Sequence, residues 1–397
     1  MFPIEEYEAR WRRLADAVAA RGYETAVMWQ RSGGGYDRAG DVHWLVNYAS
    51  LASGQEPPLA GGGLGRAFAA LVFRGHEEPE LHIAEPVELI DADVVATSRI
   101  VSHDNLPEGL ARHLAAAGVE GPVLHNGDDF LPIQFMRIIE QHAPAVAWEP
   151  CADLMWEIHR IKSPRERDAM RETGEVATRS LSALMEGLIA GKPESEAAAA
   201  AAYEIVRAGG GYQRIAANHG AKSEHVMWSS GMYGFTHEAP ARGELVRGWI
   251  YGPLHRGYWL DPGRTAVAGN APSAEQRRLV EGCVGVVEGI LAGIRPGATT
   301  TELGAVGDAL MEAAGHDAPQ DLWPLYGHGV GKDFYMTPVI PRLGSLPEYG
   351  GTYEEGMAVT VEVFMRHPGV GMAAFERTGL VGPDGFESLD RTPMLWW

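Results

Sequence analysis

Apolar positions fall at helical spacing between Ile4 and Arg21, at Trp11, Leu14, Ala15 and Val18, and Gly22 follows where a helix takes its C-cap glycine. The spacing predicts an opening helix. Short apolar runs come next: Thr25–Trp29, Val42–Val46, Ala69–Phe73, Glu80–Ile83 and Pro122–Leu124 have the length of buried strands, and a helix is expected near Glu108–Ala117. Together they predict an α/β domain over residues 1–150. The stretch from Gly54 to Gly65 is too rich in glycine and proline for regular structure and reads as a loop, either an irregular surface segment or a lid.

From Cys151 to Ile189 the pattern turns helical, broken at Lys162-Ser163-Pro164-Arg165-Glu166, where Ser163 and Glu166 have capping-box spacing and Pro164 suits a first turn. A domain boundary is placed ahead of this span, and a second domain is assigned to residues 151–397. Within it, the segments Leu188–Glu196 and Leu291–Glu302 resemble one another, each ending a helix with glycine and proline and leading into the next. Such a repeat suggests a pseudo-symmetric domain in which two αβ halves face one another across a site. Strand-like runs at Gly248–Tyr251, Thr265–Ala268, Ala358–Phe364 and Ala373–Val381 alternate with the helices.

Two of these runs carry acidic residues. Glu362 stands between Val361 and Val363, on the same strand face as Thr360 and Phe364, and Glu376 follows Phe375. A carboxylate in an apolar strand is costly unless it is paired, hydrogen-bonded or bound to a metal. An ion pair with Arg377 or Arg264 is one solution and a metal another. The segment Tyr326-Gly327-His328-Gly329-Val330-Gly331 reads as a glycine-rich turn, in which glycines on both sides of the histidine let backbone approach closely and hold the imidazole in a tight pocket, or else leave it as a surface histidine. With Asp261 upstream, the chain offers three carboxylates and one imidazole, a set suited to a hard or borderline divalent ion.

Composition narrows the function classes. At 397 residues two domains are the default, and 45% apolar with 22% charged residues is ordinary for a globular enzyme. A formal net charge of -20 with no local basic cluster argues against a nucleic-acid or anionic-membrane surface. Two cysteines, Cys151 and Cys283, make no disulfide framework, and no apolar window reaches membrane-spanning length, so a cytoplasmic location is expected.

These residues, in this order, resemble the creatinase, aminopeptidase P, prolidase and methionine aminopeptidase superfamily. The likeness covers essentially the whole chain: Asp41–Tyr48, the linker Arg160–Glu166, His237, Gly257–Thr265, Gly327–Gly331, Met357–Val363 and Phe375–Val381. It implies a creatinase-like N-terminal α/β domain followed by a pseudo-symmetric α+β "pita-bread" catalytic domain. It also implies that Asp261, His328, Glu362 and Glu376 are metal ligands and that His237 is catalytic. Dinuclear members use a further Asp about eleven residues before the first of these ligands, where this chain has Ile250 flanked by Trp249 and Tyr251. The resemblance therefore implies a single ion, iron, manganese or zinc, at four ligands. Peptidases of the group also carry a second histidine where this chain has Tyr335, with Asp333 nearby as a candidate base.

The expected activity is metal-dependent hydrolysis of a small C–N-bonded substrate, an amide, a dipeptide-like molecule or an amidine, by a homodimer that is not an ordinary Xaa-Pro aminopeptidase. Three other readings stay open at this level: a metal-dependent lyase similar to the dimethylsulfoniopropionate lyases, a metal-free creatinase-type hydrolase, and a non-catalytic binding module.

Overall fold

Strand-length apolar runs become two separate sheets in the computed structural model, which describes residues 1–32, 40–50, 64–225, 235–315, 323–332 and 336–397. The chain divides into two compact units, Met1–His159 and Arg160–Trp397. The first runs α1 (Ile4–Ala20), β1 (Thr25–Arg31), α2 (Gly40–Val46), β2 (Phe68–Arg74), β3 (Glu80–Ile83), β4 (Ile100–Ser102), α3 (Leu106–Ala116), β5 (Gly121–His125), α4 (Ile133–His142), β6 (Val146–Pro150) and α5 (Ala152–His159). Its strands form one sheet in the order β4-β3-β2-β1-β5-β6. Ala26 and Met28 pack with Leu14, Val18 and Leu154 on one face, while Val27 and Trp29 pack with Leu110, Leu114 and Ile139 on the other. Helices on both faces explain why β1 and β2 read as unbroken apolar runs.

Val42–Val46, expected as a strand, is instead helix α2. A short apolar run lacks the periodicity that separates a buried strand from a helix buried on nearly all sides. Val42, Trp44, Leu45 and Val46 are all buried, and Asn47, at φ 56°, closes the turn in the left-handed conformation of a C-cap. Helix α4 escapes the sequence pattern because it buries only Phe135 and Ile139. Of the Gly54–Gly65 loop, all but Leu64 and Gly65 lies outside the described residues.

The second unit runs α6 (Pro164–Ile189), α7 (Glu194–Arg207), β7 (Arg214–His219), β8 (Leu245–His255), β9 (Tyr258–Leu260), β10 (Gly263–Val267), α8 (Ala274–Gly293), α9 (Thr300–Ala313), β11 (Leu325–Gly329), β12 (Met336–Pro341), β13 (Ala358–His367), β14 (Gly371–Val381) and β15 (Phe386–Ser388). The capping box forms: Glu166 N–H donates to Ser163 Oγ at 3.2 Å and Ser163 N–H to Glu166 Oε2 at 3.0 Å, starting α6. The similar Gly/Pro breaks separate two helix pairs, α6 from α7 and α8 from α9.

The sheet of this unit runs β12-β11-β13-β14-β10-β8-β7, with β15 on β14 and β9 on β8. Val359, Val361 and Val363 of β13 and Ala373 and Phe375 of β14 pack with Leu279, Val280, Cys283 and Val287 of α8. Alternation then sends Thr360, Glu362, Phe364, Ala374, Glu376 and Thr378 to the other face. The segment around His328, expected as a turn, is strand β11. A Cβ on Gly327 would lie 2.2 Å from the Thr360 carbonyl oxygen, so the glycine serves close approach between strands and not a reversal of the chain.

Candidate metal centre

Two adjacent cross-strand rows assemble the site. In one, His328 of β11 pairs with Thr360 of β13, which pairs with Thr378 of β14. In the next, Glu362 of β13 lies opposite Glu376 of β14, Glu376 pairs with Gly263 of β10, and Gly263 with Trp249 of β8. Cross-strand partners share a face, so both rows present their side chains together. Asp261 joins them from the turn between β9 and β10. All four ionisable groups are buried, at 5%, 2%, 4% and 1% exposure for Asp261, His328, Glu362 and Glu376. One ligand atom each of Asp261, His328 and Glu376 lie within 4.8 Å of one another, and Glu362 Oε1 is 3.9 Å from His328 Nε2.

Such crowding has an electrostatic consequence. Burial pushes the Asp261 carboxyl up to about 7, against the effect of hydrogen bonds to Glu376 and Trp249. Burial and then the charge of Asp261 push Glu362 up to about 8, and burial with both neighbouring carboxylates holds Glu376 well above its ordinary range. Burial also lowers His328 to about 4, so its imidazole is neutral. With its Nδ1–H donating to the Gly329 carbonyl at 2.9 Å, the ring keeps its Nε2 lone pair on the side of Glu362. Among the described residues, Asp261 Oδ1 and Glu362 Oε1 are buried oxygens without a hydrogen-bond partner. Mutually repelling carboxyls, orphaned oxygens and a neutral imidazole fit a divalent cation, which neutralises the charge and takes up the lone pairs.

Neither arginine supplies the ion pair that the sequence left open. Arg264 pairs with Asp390 and reaches Glu376 only at its backbone carbonyl, 2.6 Å away. Arg377 follows Glu376 in β14 and so points to the opposite face. Glu376 is oriented by neutral donors instead: Trp249 Nε1–H to Oε2 at 2.7 Å and Thr360 Oγ–H to Oε1 at 2.6 Å. Thr378 Oγ–H in turn donates to Thr360 Oγ at 3.3 Å and accepts the Asp261 N–H at 3.3 Å, which ties the Asp261 turn to the same network.

Trp249 was legible in the sequence only as one aromatic residue among many. Its indole crosses Gly263 to reach Glu376, and a Cβ on Gly263 would fall 2.0 Å from the ring. Gly263→Ala should therefore displace the indole, lowering stability by about 1–3 kcal/mol and weakening metal retention; unchanged thermal unfolding together with unchanged metal content would contradict the packing. The indole stacks on Phe364 with centroids 5.7 Å apart and planes 6° apart, and Trp323 tilts against the same ring at 5.7 Å. Ala216, Met372 and Ala374 complete an apolar cluster on this face.

Other residues singled out in the sequence fall elsewhere. His237 is exposed, and its Nδ1 shares a hydrogen bond with Ser195 Oγ at 3.0 Å near the start of α7. Among the described residues no bond joins it to the carboxyl group. Asp333 and Tyr335 lie outside the described residues, as does the run Met227–Gly231. Ile250 is fully buried on β8 opposite Ile215.

Comparison with known proteins gives a consistent picture. The description "Metallopeptidase family M24" matches residues 168–383, more than half of the chain. An Xaa-Pro dipeptidase from Pyrococcus horikoshii is 26% identical over 273 residues, spanning 66% of this chain and 71% of that protein. The crystal structure of the prolidase from the same organism superposes with a TM-score of 0.77 at 18% identity, covering 97% of this chain and 99% of that one. An X-Pro aminopeptidase from Thermotoga maritima superposes with a TM-score of 0.76 at 16% identity, covering 98% and 99% of the two chains. Family, fold and buried acidic centre agree: the chain belongs to metallopeptidase family M24 and is a divalent-metal-dependent hydrolase with the two-domain pita-bread architecture.

Proposed function

We propose that the chain hydrolyses a small C–N-bonded substrate, an amide, a dipeptide-like molecule or an amidine, using one divalent ion of iron, manganese or zinc held by Asp261, His328, Glu362 and Glu376. The observation that carries the single-ion reading is the indole of Trp249, which lies over Gly263 and bonds Glu376 on the strand where a dinuclear centre needs another carboxylate. Ile250 beside it offers no donor atom. When bound, the ion supplies a Lewis acid that polarises the scissile carbonyl and acidifies water.

The chain's own residues do the rest. Thr360 and Trp249 fix the Glu376 carboxylate from both oxygens, so it cannot swing toward solvent. The ring cluster of Trp249, Phe364 and Trp323 excludes water from one side and offers an apolar surface for a substrate side group. His237, exposed and held by Ser195, and Tyr335 are assigned proton transfer or stabilisation of the developing oxyanion. Likeness to Xaa-Pro dipeptidases supports a dipeptide-sized substrate, but the missing carboxylate favours a specificity other than the ordinary Xaa-Pro one. A cytoplasmic homodimer is the assembly and location that go with this reading; no described helix is long and apolar enough to cross a membrane.

Turnover of Xaa-Pro dipeptides compared with other dipeptides, simple amides and guanidino compounds, before and after chelation, tests the proposal. Efficient Xaa-Pro cleavage in preference to the rest would refute the altered specificity, and full activity after exhaustive metal removal would refute the metal dependence. His237→Ala should lower kcat by about 10²–10⁴-fold at unchanged metal content, as loss of a proton-transfer group does. Metal loss in that variant would make His237 a ligand.

A further inference from the structure

The first unit carries a group of side chains of its own with the chemistry and spacing to hold a metal ion. Glu80 and His82 stand two residues apart on β3, on the same strand face, and His113 reaches them from α3. His113 Nε2 lies 2.8 Å from Glu80 Oε2, and His82 Nε2 lies 3.8 Å from the same oxygen. One ligand atom from each of the three residues falls within 4.8 Å of the others. His82 is wholly buried, and among the described residues its Nε2 has no hydrogen-bond partner. Its other nitrogen, Nδ1, is already engaged with His103 Nε2 at 2.8 Å, the two rings stacked 5.2 Å apart. A Cβ on Gly109 of α3 would meet the His103 ring at 2.2 Å, so the helix closes directly over this pair.

We propose that Glu80, His82 and His113 form a binding site for a zinc-type transition ion in the first unit. A tetrahedral zinc ion with bonds near 2 Å holds its ligand atoms roughly 3.3 Å apart, and the 2.8 and 3.8 Å separations lie on either side of that spacing. Two imidazoles and one carboxylate suit zinc and leave a fourth position for water on the side where His113 and Glu80 reach the surface, at 31% and 12% side-chain exposure. Arg99 pairs with Glu80 Oε1, which leaves Oε2 as the oxygen turned to both histidines. A hydrogen-bonded network without an ion accounts for His113 and His103 but leaves the buried Nε2 of His82 3.8 Å from Glu80 Oε2, beyond hydrogen-bond distance.

Zinc alone is the probe. In a protein carrying Asp261→Asn and Glu362→Gln, so that the second unit's centre is disabled, competition with a chromogenic chelator should find one equivalent of bound Zn²⁺. Adding His113→Gln, a partly exposed position whose change leaves the fold intact by circular dichroism, should weaken that binding at least tenfold. Glu80→Gln should do the same, and Co²⁺ should lose its tetrahedral visible bands in both. Absence of Zn²⁺ from the parent protein, or affinity unchanged by both substitutions, would overturn the site.

Discussion

Glu362→Gln should strip the ion from the second unit while making the metal-free protein no less stable, and this opposed pair of effects is specific to a ligand role. Gln has nearly the same shape but is neutral. Removing a direct ligand should weaken retention by more than the roughly 10–100-fold that loss of a supporting residue costs. In the metal-free protein, by contrast, the substitution deletes one of three buried carboxyls that repel one another. The sign of the pH dependence follows from the same groups. Asp261 and Glu362 have folded values raised to about 7 and about 8, so between the ordinary carboxylate range and pH 8 the folded chain holds more protons than the unfolded one. Stability of the chelator-treated protein should fall as pH rises through that window, and the bound ion should flatten the slope by displacing those protons. Calorimetry at several pH values, with and without metal, checks this. Metal counted in the His113→Gln protein, so that the first unit does not contribute, should approach one ion per chain. An ion retained at full affinity in Glu362→Gln, a stability that rises with pH in the metal-free form, or a second ion at this centre would each contradict the assignment.

Arg264→Met should lower stability by about 3–5 kcal/mol, the usual consequence of leaving one partner of a buried ion pair alone. Arg264 and Asp390 are both fully buried, and the guanidinium also donates to the carbonyls of Gly263, Glu376, Thr392 and Pro393. It thereby fastens the segment after β15 to the strands that carry Gly263 and Glu376. A double change, Arg264→Met with Asp390→Leu, should recover much of the loss because no charge then stays buried unpaired. Chemical denaturation of the single and double variants measures both effects; a single-variant loss below about 1 kcal/mol, the range of exposed pairs, would show that the buried network contributes little.

Much of this fold was legible along the chain because its signals are local. The capping box at Ser163 and Glu166, the Gly/Pro breaks after α6 and α8, and the alternation in β13 and β14 depend on residues a few positions apart, whose chemistry sets local backbone conformation. Candidate ligands were legible for a related reason: a glutamate between valines needs a partner, whatever the tertiary structure. Which partner it takes was not. The rows that join His328 to Thr360 and Thr378, and Glu362 to Glu376, Gly263 and Trp249, are set by strand register, and one residue of slip sends every side chain to the opposite face. Only that register turns Trp249 from a core aromatic into a donor to Glu376 and assigns Arg264 to Asp390 and not to a glutamate side chain. The same holds in the first unit, where Glu80 and His82 share a face by local alternation, but His113 joins them only because α3 packs over β3. Sequence thus determined the elements and the ionisable residues that could not stand buried alone; the pairing of strands and the packing of helices decided which of them meet, because contacts between residues distant in the chain are fixed by register and close approach, which no local pattern encodes.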